Sequence, residues 1–161
     1  MEVQMIVDNS QSPNSVPWPP LILAVAMAAS LGLGQLVPLP LPSDLWLQIM
    51  GSIVAFVGVA LDLWAILTMR RLHTNILPHR AAGRLVTTGP FRFTRNPIYV
   101  GNATLMAGIG FAFGNFWFVL LGVVSALVVD RLAIRREERH LGARFGQDWL
   151  DYASRVPRWL I

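Results

Sequence analysis

Apolar positions in this chain come in four long runs, separated by polar or proline-rich breaks. The first extends from about Pro20 to Val37, behind Trp18 and the pair Pro19 and Pro20. Prolines at a helix entrance remove only amides that would be unpaired anyway. The second, about Leu45 to Met69, is long enough to cross a ~30 Å hydrocarbon layer with some tilt. The intervening PLPLPSD favours extended backbone, and Ser43 or Asp44 can cap the second helix. The third run opens after Asn96 with Pro97 in its first turn and ends at Phe113. The fourth covers about 115–130. Only Gly114 and Asn115 part the last two, which predicts a tight antiparallel hairpin. At ~1.5 Å per residue each of them rises about 25 Å, short for a full crossing. Local thinning of the bilayer, or a fourth helix continuing through Asp130 to Phe145, would meet the shortfall. The predicted fold is an all-α membrane protein, a single membrane-embedded domain over residues 1–161. Its spans are four transmembrane helices at about 20–37, 45–69, 97–113 and 115–130, followed by a C-terminal cytoplasmic helical extension.

Composition agrees with a membrane chain, since 54% of the 161 residues are hydrophobic. The charge adds topology. All 13 basic residues are arginines and none precedes Arg70, so the net charge of +4 originates in the second half. Six arginines (70, 71, 80, 84, 92, 95) and no acid lie between the second and third runs. By the positive-inside rule the 70–95 loop and the C-terminal tail are cytoplasmic, and the N-terminus joins them if the spans number four. The expected location is therefore a bacterial inner membrane with both termini cytoplasmic. Arginines flanking apolar spans disfavour nucleic-acid binding. The absence of cysteine excludes a disulfide framework, a thiolate nucleophile and a cysteine metal site. His73 and His79 lack a third partner at metal spacing. The first 20 residues have no basic region and do not resemble a cleaved signal peptide.

Chemistry must reside in two polar blocks, each too short to fold alone. The first ends GRLVTTGPFRFTRNPIYVGN, Gly83 to Asn102. Gly89-Pro90 marks a turn, and Asn96-Pro97 can cap and open a helix whose positive end lies beside Arg95. That combination suits a carboxylate or phosphate group, although Arg95 as a snorkelling arginine and Tyr99 as an aromatic-belt residue remain equally open. The second block runs from Arg131 to Ile161. If it continues the fourth helix, Ile134, Glu138, Leu141 and Phe145 share a face, and an acid interrupts an apolar stripe. Glu138 then pairs with Arg131, Arg135 or an arginine of the first block, or accepts hydrogen bonds from a ligand. Glu137 sits about 100° away, nearer His140. Asp62, inside the second run, should face the bundle or a polar cavity.

Taken together, LVTTGPFRFTRNPIYVG and EERHLGARFGQDWLDYASRVPRW resemble the integral-membrane methyltransferases that include isoprenylcysteine carboxyl methyltransferase and the phospholipid N-methyltransferases. The likeness is loose from Leu45 onward and close over residues 83–161. The family's first motif, Arg-His-Pro-x-Tyr-x-Gly, falls on Arg95, Asn96, Pro97, Tyr99 and Gly101, with Asn96 replacing the usual histidine. The second falls on Glu137, Glu138, Leu141, Phe145, Gly146, Tyr152, Val156 and Pro157, with Trp149 where tyrosine is common. The resemblance implies S-adenosyl-L-methionine as cofactor, held on the cytoplasmic side by both motifs, and Gly108 and Gly110 resemble a small-residue pair assigned to the cofactor in phospholipid methyltransferases.

On that resemblance the chain is expected to transfer a methyl group from S-adenosylmethionine to a lipid-like or hydrophobic nucleophile, a carboxylate, amine or thiol, arriving from the membrane. Arg95 and Glu138 are the expected catalytic pair. Asn96, Pro97, Tyr99, Gly101, Gly108, Gly110, Glu137, Leu141, Phe145 and Tyr152 complete the expected cofactor contacts. Membrane lipids are the other expected partners, with no nucleic acid and no metal, and the oligomeric state is open. The competing reading is a non-catalytic membrane component such as a quinone-binding or transport subunit.

Overall fold

The computed structural model describes residues 18–42, 44–73 and 84–160. Ser43, His79 and Arg80, singled out above, lie outside the described residues, as does the rest of 74–83 between the second and third apolar runs. Helix α1 covers Trp18–Leu36, α2 Leu45–Arg71, α3 Pro97–Phe113, and α4 Phe116–Val129. A π turn, Asp130–Ile134, joins α4 to α5, Arg135–Phe145, and α6 follows at Gln147–Arg155. Between α2 and α3 a short 3-10 turn covers Gly89–Arg92.

Local signals set the boundaries. Asp44 caps α2, its carboxylate accepting the Leu47 amide at 3.0 Å. Gly114 ends α3 in the left-handed region at φ 64°, and Asn115 caps α4 by accepting the Trp117 amide at 3.1 Å. The expected hairpin of α3 and α4 is therefore present. Its tip is tied to the segment after α1: the Leu41 amide donates to the Gly114 carbonyl at 2.8 Å and the Phe116 amide to that of Leu39 at 2.9 Å.

Two pairings build the bundle. Helix α3 runs antiparallel along α2, and α1 lies along α4. Glycine makes the first contact possible, because a Cβ at Gly58 would meet backbone atoms of Leu105 and Gly101 at 2.6–2.9 Å, and one at Gly108 would meet Ala55 and Gly51 at 2.2–2.7 Å. The second contact is polar at one end: Ser30 donates to the carbonyls of Ala26 at 2.7 Å and Trp117 at 3.3 Å, and Asn115 donates to the Ser30 carbonyl at 3.2 Å. Outward faces are apolar, with Phe56 73%, Leu31 59% and Leu127 61% exposed, as lipid contact requires.

The four-span expectation is corrected. Among the described residues three helices are long and apolar enough to cross a membrane: Trp18–Leu36, Leu45–Arg71 and the continuous Phe116–Phe145. Helix α3, with 17 residues, rises about 25 Å and falls short of the ~30 Å core. The expectation that both termini share one side rested on an even number of spans and loses that support. Continuation of the fourth run to Phe145 is realised, giving a 30-residue helix whose last third is polar.

Candidate functional site

At the end of the bundle where α2 finishes and α3 begins, the two polar blocks are joined by their backbones. The Arg95 amide donates to the Pro157 carbonyl at 2.9 Å. The Arg158 carbonyl accepts from the Thr94 hydroxyl at 2.9 Å and from the Asn96 side-chain amide at 3.0 Å. Thr94 Oγ1 in turn accepts the Asn96 amide at 3.2 Å. Thr94 and Asn96 are buried, so these bonds replace lost water and fix the loop against residues 156–158. Asn96 therefore does not cap α3 with its side chain as the Asn-Pro pair suggests. Its carboxamide is spent across the chain instead.

That junction aims Arg95 inward. Its Nη1 lies 3.2 Å from Glu138 Oε1, and its guanidinium sits 5.5 Å over the Trp149 ring. Both charged side chains are about 15% exposed, and Arg95 Nε is buried without a hydrogen-bond partner. Glu138 is shared, for Arg158 Nε donates to its Oε1 at 3.1 Å and Arg158 Nη2 contacts its Oε2. Arg158 also reaches Asp130 at 3.3 Å, and Asp130 pairs with Arg135 at 3.1 Å. These carboxylates push the Arg158 pKa upward, the Glu138 hydrogen bond first among the causes. Of the partners considered for Glu138, an arginine of the first block is the one found, while Arg131 and Arg135 turn to Asp130.

The apolar residues of the second motif gather in one cluster. Leu141 and Phe145 pack with buried Trp149, Tyr152 and Val156, beneath Arg95. Tyr152 Oη donates to the Phe91 carbonyl at 2.6 Å, and burial moves its pKa up to about 12 against the opposing charge of Arg95. Ile134 belongs instead with Val129, Ala133, Ile22, Tyr99 and Trp159. Glu137 is not the exposed neighbour of His140 that helical spacing allows: Tyr99 Oη donates to its Oε1 at 3.0 Å.

Arg95, Asn96, Glu138, Leu141, Phe145 and Tyr152 are thus gathered at one place, and Tyr99 is bonded to Glu137, the residue before Glu138. Pro97 opens α3 beside Arg95. The remaining glycines are elsewhere. Gly101 faces Asp62, whose Oδ1 is buried without a partner, Gly108 faces α2, and Gly110 faces Val119 and Asn115. Gly108 is eleven residues, roughly 16 Å of helix rise, beyond Pro97. Sequence reasoning left out Arg158, Asp130, Thr94 and the role of Trp149. Spacing offered no signal for Arg158; Trp149 could be noticed only as a departure from the motif.

A helical membrane bundle with arginine, paired carboxylates and indole gathered at one end defines a class, and comparison with known sequences supplies its family. The model of the phospholipid methyltransferase family matches residues 46–148, and the chain belongs to that family. It is 31% identical over 116 residues to the nickel-cobalt-cadmium resistance protein NccN of Alcaligenes xylosoxydans xylosoxydans, covering 71% of this chain and 51% of that protein. It is 30% identical over 117 residues to protein-S-isoprenylcysteine O-methyltransferase B of Arabidopsis thaliana, covering 70% of this chain and 58% of the other. The chain thus spans between half and three fifths of the length of these relatives. No solved structure matches it significantly.

Proposed function

We propose that this chain is an integral-membrane methyltransferase that moves a methyl group from S-adenosyl-L-methionine to a hydrophobic nucleophile supplied by the bilayer. The observation that carries the reading is the inward cluster of Arg95, Glu138 and Trp149, assembled from both motifs and fixed by the bonds of residues 94–96 to 157–158. The donor set suits the cofactor: a guanidinium with an unused buried N–H for its carboxylate, a carboxylate for its ammonium or ribose hydroxyls, and an aromatic face. When bound, S-adenosylmethionine supplies an electrophilic methyl group on a sulfonium centre. Arg95 holds the carboxylate end, and Glu138 accepts hydrogen bonds while its charge favours a cationic ligand. Leu141, Phe145 and Tyr152 form the apolar backing that keeps water away. Arg158 keeps Glu138 oriented. The chain's main contribution to rate is alignment of the reacting atoms rather than acid-base chemistry. The arginine bias favours a cytoplasmic setting for the arginine-rich end, in a bacterial inner membrane.

Calorimetric titration with S-adenosylhomocysteine tests this. Arg95→Ala and Glu138→Gln should each weaken binding about 30- to 150-fold, the equivalent of roughly 2 to 3 kcal/mol for one charge-assisted contact. Arg70→Ala and Arg144→Gln, whose side chains lie outside the cluster, should stay within twofold. Glu138→Gln also takes the counter-charge away from Arg95 and Arg158, so its melting temperature should fall. Wild-type affinity per folded molecule in Glu138→Gln would remove Glu138 from the cofactor site and leave it a structural ion-pair partner.

A further inference from the structure

A cleft lies between α1, α3 and α4, lined by Pro19, Ile22 and Leu23, by Tyr99, Asn102 and Ala103, and by Ser125, Ala126 and Val129. Its volume of about 20 Å³ admits one water-sized group. Tyr99 connects it to the chemistry, since the same hydroxyl donates to Glu137 while keeping lone pairs free to accept. Adjacent carboxylates therefore part company. Glu138 turns to Arg95 and Arg158, whereas Glu137 stands behind the tyrosine of the cleft.

We infer that this cleft is the acceptor site and takes the small amine head of a single-chain apolar molecule, with Tyr99 and Glu137 receiving its proton. The inference deepens the methyl-transfer reading and rests on it. Among the described residues the lining holds no cationic side chain, so a phosphate or carboxylate head would find no counter-charge, and Glu137 behind Tyr99 repels an anion. An amine meets the opposite situation. Asn102 and Ser125 bring polar atoms to an otherwise apolar wall, against whose aliphatic side chains the tail would lie. In the transfer the nitrogen lone pair forms the new bond to the methyl carbon while the carbon–sulfur bond breaks, its electron pair staying on sulfur as the sulfonium becomes a thioether. That lone pair is freed beforehand, when the bound ammonium gives a proton to Tyr99 Oη as the proton of Tyr99 moves to Glu137, and the product is the methylated ammonium beside a protonated carboxyl.

Photolabelling of the full chain in detergent tests the assignment with three diazirine-tailed probes: dodecylamine, dodecanoate and a phosphatidylethanolamine. Peptide mass spectrometry should map dodecylamine adducts to Ile22, Leu23, Ala103 or Ala126, at least tenfold above adducts from the other two probes. Ala103→Phe fills the cleft and should cut amine labelling tenfold while S-adenosylhomocysteine binding on the same preparation certifies the fold; Ala126→Leu replaces it if that variant does not assemble. Equal labelling of these residues by dodecanoate or phosphatidylethanolamine, or amine adducts that map elsewhere, would overturn the inference. A wild-type protein that labels as expected yet does not bind S-adenosylhomocysteine would overturn the methyl-transfer reading, and with it the acceptor role of the cleft.

Discussion

Gly108→Ala tests the tight seam between α2 and α3. The added methyl carbon would stand 2.2 Å from Ala55 N, 2.6 Å from Ala55 Cα and 2.7 Å from the Gly51 carbonyl oxygen. All three are backbone atoms, so no side chain can rotate away. Restoring ordinary contact near 3.5 Å requires roughly 1.3 Å of helix separation. Overpacking of this kind costs about 1 to 3 kcal/mol, and a backbone obstacle places it at the upper end, while the better helix propensity of alanine returns about 1 kcal/mol. The net loss is about 2 kcal/mol, or about 4 to 8 °C in melting temperature for a chain of this size. Gly32→Ala is the control, since a Cβ there meets nothing within 4 Å, and it should be neutral or slightly stabilising. Thermal unfolding in one detergent, followed by circular dichroism, compares the two. A Gly108→Ala protein as stable as wild type would refute the close-packing account. S-adenosylhomocysteine affinity measured on the same samples addresses the family-based cofactor role of Gly108: affinity per folded molecule should be unchanged, because the residue faces α2 far from Arg95.

Asn115→Ala removes both the cap on α4 and the hydrogen bond to Ser30, and should lower stability by about 1 to 2 kcal/mol in denaturant titrations, whereas Asn115→Asp, which keeps the acceptor for Trp117, should lose less. Tyr152→Phe leaves the Phe91 carbonyl without its partner and should cost about 1 to 2 kcal/mol. The folded tyrosine titrates near 12, above its unfolded value of 10.0. Its contribution to wild-type stability is therefore complete below pH 10 and lost as pH rises from 10 toward 12, a slope that Tyr152→Phe should lack.

Helices and hairpin were legible because apolar runs and their punctuation are local signals. Asp44, Gly114 and Asn115 mark ends that the structure places at or next to the expected residues. The number of spans was not legible, since a 17-residue apolar helix packed on a longer neighbour looks in sequence like a crossing. Within the site, the stripe of Ile134, Glu138, Leu141 and Phe145 indicated that Glu138 faces inward, but not its arginines. Arg158 reaches Glu138 from twenty residues further on after two turns of direction, at Gly146 and Pro157, and helical periodicity cannot carry phase through them. Asn96 misled for a related reason. A capping residue in sequence was drawn away by a long-range carbonyl that only the folded chain brings near.

The π turn between α4 and α5 can be viewed as one residue of slack. There the Arg135 amide reaches back five residues to the Asp130 carbonyl, although it also contacts Ala133. One additional residue in a helix rotates everything after it by about 100°. Without this turn, Glu137 and Glu138 would face another sector while the lipid-facing residues of α4 kept theirs. The turn thus lets a membrane helix and a ligand-facing helix keep separate azimuths within one rod. Each half can match its own surroundings, lipid for one and the charged cluster for the other, with a single wide turn absorbing the difference.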